Sequence, residues 1–191
     1  MRLYRSISSD LPLLVVALEE EATHLHGSEL PVLVTGAGKV NAAVAVATIL
    51  GEFSPARVIN LGTAGSLRDG LWGTQVISRV TQHDLDDSAL FVLTGLHFGA
   101  PIELGGSGPT LTTGDAFISD SATRERLAQQ ADLVDMEAYA IAHAAAVAGI
   151  PLTIVKQVSD QAGESASKSW ASLVDECAQQ LGIWVRDNVL K

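Results

Sequence analysis

Ala131-Asp132-Leu133-Val134-Asp135-Met136-Glu137-Ala138-Tyr139 carries an apolar strand into an alanine-rich helix, with acidic side chains at the junction. Met136, Ala140, Ala144 and Val147 recur at helical spacing, and Gly149 followed by Pro151 supplies a stop, so a helix is expected over 136–148. Glu137 then falls in the first turn. A carboxylate there either interacts with the helix dipole, worth ~0.3–1 kcal/mol, or faces a ligand.

The same strand-into-helix grammar recurs outward from this point. Apolar runs at 11–18 and 31–35 end in Glu19-Glu20-Glu21 and Gly36-Ala37-Gly38-Lys39, the second followed by an Ala/Val-rich helix over about 40–50. A run at 57–61 ends in Gly62-Thr63-Ala64-Gly65, and further strands are expected over 74–80, 90–93, 110–113 and 152–158 from their β-branched and aromatic residues. Helices fit 121–130 and 170–189, the latter with Trp170, Leu173, Val174, Cys177, Leu181, Trp184 and Val185 on one face. Five glycines and two prolines make 95–109 a loop. The pattern predicts an α/β fold around a central sheet, as a single domain over residues 1–191.

Composition bounds the function. A chain of 191 residues that is 47% hydrophobic can build a sizeable core without staples. A net charge of −10 with no basic cluster argues against a nucleic-acid or anionic-membrane partner. Cys177 is the single cysteine, so no intramolecular disulfide framework exists, and no charged start followed by an apolar run marks a secretory signal. No apolar segment approaches the ~18 residues that would span a membrane. A soluble, cytoplasmic protein is expected.

In an open α/β sheet, ligands bind beyond the carboxyl ends of strands. The residues there are Glu19–Glu21, Gly36–Lys39, Gly62–Gly65, His83 with Asp84, Gly114–Ile118, Asp135–Glu137, and Ser159 with Asp160. Gly36-x-Gly38 is no dinucleotide fingerprint, because Asn41 occupies the third glycine position, and Lys39 does not complete a phosphate-binding loop; a tight turn explains it. Of the three glutamates, only one need point inward. His83 and Asp84 are either a catalytic pair or a structural group. His24, His26 and His143 lack partners at ligand spacing, so no metal is expected.

Taken in order, Ala17-Leu18-Glu19-Glu20-Glu21, Thr35 to Ala43, Asn60-Leu61-Gly62-Thr63-Ala64-Gly65, Gly114-Asp115-Ala116-Phe117-Ile118, Asp135-Met136-Glu137-Ala138 and Val158-Ser159-Asp160 resemble one family. It is the purine nucleoside phosphorylase and nucleosidase superfamily, and the pattern is most similar to the 5′-methylthioadenosine/S-adenosylhomocysteine nucleosidases. The resemblance implies a three-layer αβα sandwich with a mixed, twisted sheet, hydrolysis of the glycosidic bond of adenine thionucleosides, a role in methionine salvage, no cofactor, and a homodimer.

Its residue roles follow one by one. Glu21 resembles the carboxylate that activates water. Glu137 resembles the one that grips the ribose 2′- and 3′-hydroxyls, beside Asp135 and with Met136 beneath the sugar. Asp160, held by Ser159, resembles the acid that protonates purine N7. Phe117 resembles the aromatic stacked on the base, and Ile118 the residue whose backbone meets its edge. Thr63, Ala64 and Gly65 match the segment lining the nucleoside pocket, and Trp170 falls where an aromatic covers the 5′ tail. The chain also departs from the family. It is shorter, it is read as lacking a helix between His83 and Thr110, Gly163 replaces a second acid, and Lys156-Gln157 replace an arginine and a small residue.

These residue types suit the chemistry independently. Glycosidic cleavage builds oxocarbenium character that a carboxylate stabilises while an acid protonates the leaving group. Phosphorolysis by the same fold is the alternative, but it needs an anion site, and Arg68 and Arg79 are the only arginines near the motifs. A non-catalytic nucleoside-binding protein would have little use for both a base and an acid.

Overall fold

The computed structural model describes residues 1–163 and 166–190, with the backbone alone over 166–172. Period-two alternation sets its layers. In β2 (Pro12–Val16), Leu13 and Val15 pack with Val46 and Ile49 of α2 (Lys39–Glu52) and with Ile141 of α5 (Ala138–Ala148). Leu14 and Val16 point the other way, onto Ala22 of α1 (Glu19–Ala22) and Leu181 and Val185 of α6 (Ala166–Asn188). All four β2 side chains are fully buried, each worth about 1.5–3 kcal/mol of apolar transfer. Helices thus cover both faces of one sheet.

Along the sheet, β1 (Arg2–Tyr4) is followed by β3 (Val32–Val34), β2, β4 (Arg57–Ser66), β9 (Leu133–Asp135), β8 (Thr110–Thr113), β6 (Arg79–Gln82) and β7 (Ile102–Glu103). β10 (Leu152–Asp160) runs parallel to β4 and takes β5 (Thr74–Val76) on its far side. The sheet is mixed: β2 and β3 are parallel, whereas β4 and β9 are antiparallel through Gly65–Val134 and Ser66–Leu133. β4 therefore serves two neighbours in turn, β2 along its first half and β9 at its end. The register with β10 shifts between Val158 and Asp160, and this irregularity lies where the acidic residues gather.

Several expectations need correction. The strand expected over 74–80 is two strands, because the Ile77 amide donates to Ile154 of β10 while the Ser78 amide donates to Pro109 beside β8. The chain changes partners there. The strand expected over 90–93 is instead inside a helix, α3 (Asp87–Thr94), in the region read as lacking one. Asp86 caps its start by accepting from the Ala89 amide at 2.9 Å, and Gly95 closes it at φ 72°. Capping outweighed β-propensity in a segment with no buried residue. α4 (Ser121–Leu127) ends three residues earlier than expected, and α6 begins four residues earlier. Among the described residues no helix is long and apolar enough to cross a membrane.

Candidate active site

One cavity of about 210 Å³ opens at the carboxyl ends of β2, β4, β9 and β10. Every residue to which the resemblance gives a role lines it except Trp170, whose side chain lies outside the described residues. Ala17, Leu18, Ala37, Ala116 and Val134 complete the lining; they stand inside the quoted motifs but, being small or apolar, carry no chemical signal that assigns them a role.

Glu21 enters from the single turn of α1 and is 3% exposed. Its Oε1 accepts from the Thr63 amide at 2.8 Å and the Thr63 hydroxyl at 3.1 Å, and its Oε2 from the Ala17 and Leu18 amides. Its neighbours behave differently. Glu19 pairs with Arg2 and Tyr4 at the surface, and Glu20 is exposed, so one of the three points inward.

Glu137 is the N-cap residue of α5, immediately ahead of the first turn where it was expected, and its side chain makes no capping bond. Its Oε1 accepts instead from the Gly38 amide at 2.8 Å. The dipole explanation does not account for that reach. Gly36 and Gly38, at φ 92° and 91°, give the turn a left-handed geometry that side chains rarely adopt, and this turn aims the amide inward. Burial, and then the charge of Asp135, push the Glu137 carboxyl up to about 7.

Asp135 lines the cavity, yet its oxygens are engaged by the protein. Oδ1 accepts from the Thr113 hydroxyl at 2.6 Å, and Oδ2 from the Ala138 amide and from Lys156 Nζ, both at 2.9 Å. Lys156 was noticed from sequence only as a departure. Its signal is a charge among the apolar residues of a strand, at even spacing from Ile154 and Val158 and therefore on their face.

Asp160 sits at the end of β10, 4% exposed. The Ser159 hydroxyl donates to Oδ2 and the Ala162 amide to Oδ1, each at 2.8 Å. Close approach depends on Gly65, where a Cβ would lie 3.0 Å from Asp160 Oδ1 and 3.1 Å from Ala162 Cβ. Phe117, about half exposed, flanks the cavity, and Ile118 is buried beside it.

His83 and Asp84 do not form a catalytic pair. Asp84 binds Lys39 Nζ and the Asp115 amide, and neither residue lines the cavity. His83 packs against Gly114 with Nε2 unpaired, and burial lowers its pKa. Arg68 pairs with Asp132 and Arg79 with Glu103, away from the cavity. Among the described residues the cavity lining holds no lysine or arginine. Among the described residues no group of His, Cys, Asp and Glu could hold a metal ion.

The model of the phosphorylase superfamily matches residues 14–103 and 107–183. A 5′-methylthioadenosine/S-adenosylhomocysteine nucleosidase of Chromohalobacter salexigens is 31% identical over 192 residues, covering 85% of this chain and 80% of that protein. A Helicobacter pylori nucleosidase variant with 5′-methylthioadenosine in its active site superposes with a TM-score of 0.85 at 20% identity, over 94% of this chain and 98% of the other. The Neisseria meningitidis 5′-methylthioadenosine/S-adenosylhomocysteine nucleosidase with methylthio-immucillin-A gives 0.81 at 25% identity, over 92% and 96%.

Proposed function

The chain belongs to the phosphorylase superfamily, and we propose that it is an N-glycosyl hydrolase releasing adenine from 5′-methylthioadenosine or S-adenosylhomocysteine. The observation that carries this reading is the convergence of Glu21, Glu137 and Asp160 on one cavity whose lining, among the described residues, has no basic side chain. Phosphorolysis would require a cation at the sugar; Arg68 and Arg79 are committed elsewhere, and Lys156 is paired with Asp135. A phosphate would meet carboxylates instead.

In this mechanism Asp160 donates a proton to purine N7 as the C1′–N9 bond breaks, and adenine leaves neutral. Positive charge grows on the ribose ring and is stabilised by Glu137, which accepts from the 2′- and 3′-hydroxyls, with Met136 beneath the sugar. Glu21 takes a proton from the water that attacks C1′, giving a free sugar. Ser159 orients Asp160, and Asp135 supports the start of α5. Phe117 stacks on the base, Ile118 presents its backbone to the base edge, and Thr63, Ala64 and Gly65 form the nucleoside wall.

The protein acts as a single domain and as a cytoplasmic homodimer serving methionine salvage, without a cofactor. The support for a dimer is exposed apolar side chains: on α3, Val92 and Leu93 are 83% and 79% exposed, and α2 exposes Val40 and Val44. Release of adenine from 5′-methylthioadenosine, S-adenosylhomocysteine and adenosine, and of hypoxanthine from inosine, in phosphate-free buffer tests the function. The thioadenosines should react fastest; inosine reacting faster than both would refute it.

A further inference from the structure

Lys156 is the largest fully buried side chain among the described residues, and the mechanism above gives it no task. It lies on β10 with its Nζ 2.9 Å from Asp135 Oδ2, and its aliphatic stem is enclosed by the core. Beside it, β4 has Gly62 in register, and a Cβ at Gly62 would lie 3.2 Å from both Lys156 Nζ and Glu21 Oε1. The missing methyl lets the ammonium and the Glu21 carboxylate flank one point.

Among the described residues, every charged group facing this ammonium is acidic. Asp135 faces it from β9, Glu21 from α1 and Glu137 from the start of α5, and all three act on its titration. Asp160 lies farther along β10, and Cys177 of α6 is a thiol whose burial pushes it up to about 11, leaving it neutral. One cation therefore serves three buried carboxylates. A buried ion persists only where partners replace its hydration, and a carboxylate cluster without a cation would retain protons.

We propose that Lys156 is a positioning residue for hydrolysis: its ion pair with Asp135 balances the carboxylates of the sugar subsite, so that Glu137 is ionised and can accept from both ribose hydroxyls near neutral pH. The inference rests on the proposed function for its link to catalysis, but the charge balance is a property of the free protein. Glu137 lies at the tipping point, near 7, with burial and Asp135 raising it and Lys156 lowering it. Removing the cation should make Glu137 hold its proton to higher pH. Removing Asp135 should do the reverse.

The test is a ¹³C-carboxyl NMR titration of glutamate-labelled protein without substrate, the Glu137 resonance being assigned by its loss in Glu137→Gln, together with the pH profile of kcat/KM for 5′-methylthioadenosine. Lys156→Met should raise the Glu137 midpoint, and the acid limb of kcat/KM, by about one pH unit, while Lys156→Arg keeps both near wild type. Asp135→Asn should lower the midpoint, and Asp135→Asn with Lys156→Met should bring it back up. If Lys156→Met fails to fold, the difference between Asp135→Asn and the double variant reads the same charge. Equal midpoints in either comparison would overturn the proposal. A shifted midpoint with an unmoved acid limb would overturn its link to catalysis, and a wild type without turnover would do so by removing the hydrolase reading itself.

Discussion

The Gly38 amide donates a 2.8 Å hydrogen bond to Glu137 Oε1 across 99 positions of sequence. It ties the turn before α2 to the start of α5 and leaves the other carboxylate oxygen available to the cavity. Glu137→Gln keeps this bond but removes one acceptor, so kcat/KM should fall by about 10²-fold or more if the contact strengthens in the transition state. Unchanged kinetics would return Glu137 to a purely structural role.

The same residue predicts opposite effects on activity and stability. Its ionised form is the one that accepts from both hydroxyls, so kcat/KM should rise as pH passes upward through about 7. In the folded state its pKa is above the ordinary 4.5, so the fold binds the proton more tightly than the unfolded chain does. This contribution favours the fold at low pH and is lost as pH rises through that window. At pH 8, Glu137→Gln should therefore raise Tm, by ~2–4 °C for each kcal/mol relieved. A lower Tm at pH 8 would contradict this account.

Base choice rests on Asp160. A protonated carboxyl offers one donor and one acceptor, matching adenine, where N7 accepts and the N6 amino group donates. In 6-oxopurines both positions accept. Adenosine-type substrates should be preferred by ~1–3 kcal/mol, and Asp160→Asn should abolish most turnover while narrowing that preference. Equal wild-type kcat/KM for adenosine and inosine would remove Asp160 from base recognition.

Gly65→Ala places a methyl 3.0 Å from Asp160 Oδ1, whose carboxyl is pinned by Ser159 and the Ala162 amide. Displacing the acid should lower kcat/KM by ~10–100-fold. Gly51→Ala, in α2 with nothing within 4 Å, is the matched control and should leave activity unchanged. Similar kinetics for both variants would show that Asp160 tolerates displacement.

The chemistry-bearing residues were legible in sequence because they stand at strand ends, where apolar runs break into glycine and carboxylate. Glu21, Glu137 and Asp160 could be brought together through the resemblance that six motifs in order carry. Lys156 was harder: its meaning depends on Asp135 and Glu21 meeting it in three dimensions, and no local pattern encodes that meeting. α3 was misread because Phe91 and Val92 have β-propensity, and they are solvent-facing residues of a helix defined by Asp86 and Gly95. An exposed apolar helix face breaks the rule from which periodicity reads burial.

That face yields its own prediction. Wild-type protein should sediment as a dimer, and Val92→Glu with Leu93→Glu should give a folded monomer, since charge at a desolvated apolar contact is unfavourable. A wild type that is monomeric at all concentrations would contradict the dimer.

The most direct measurement of the central claim is the rate of adenine release from 5′-methylthioadenosine with and without inorganic phosphate, the sugar product being identified by ³¹P NMR and mass spectrometry. If Glu21 directs water, and with no basic side chain lining the cavity among the described residues, the rate should be independent of phosphate and the sugar should emerge free. Turnover that requires phosphate and yields the sugar 1-phosphate would contradict the account.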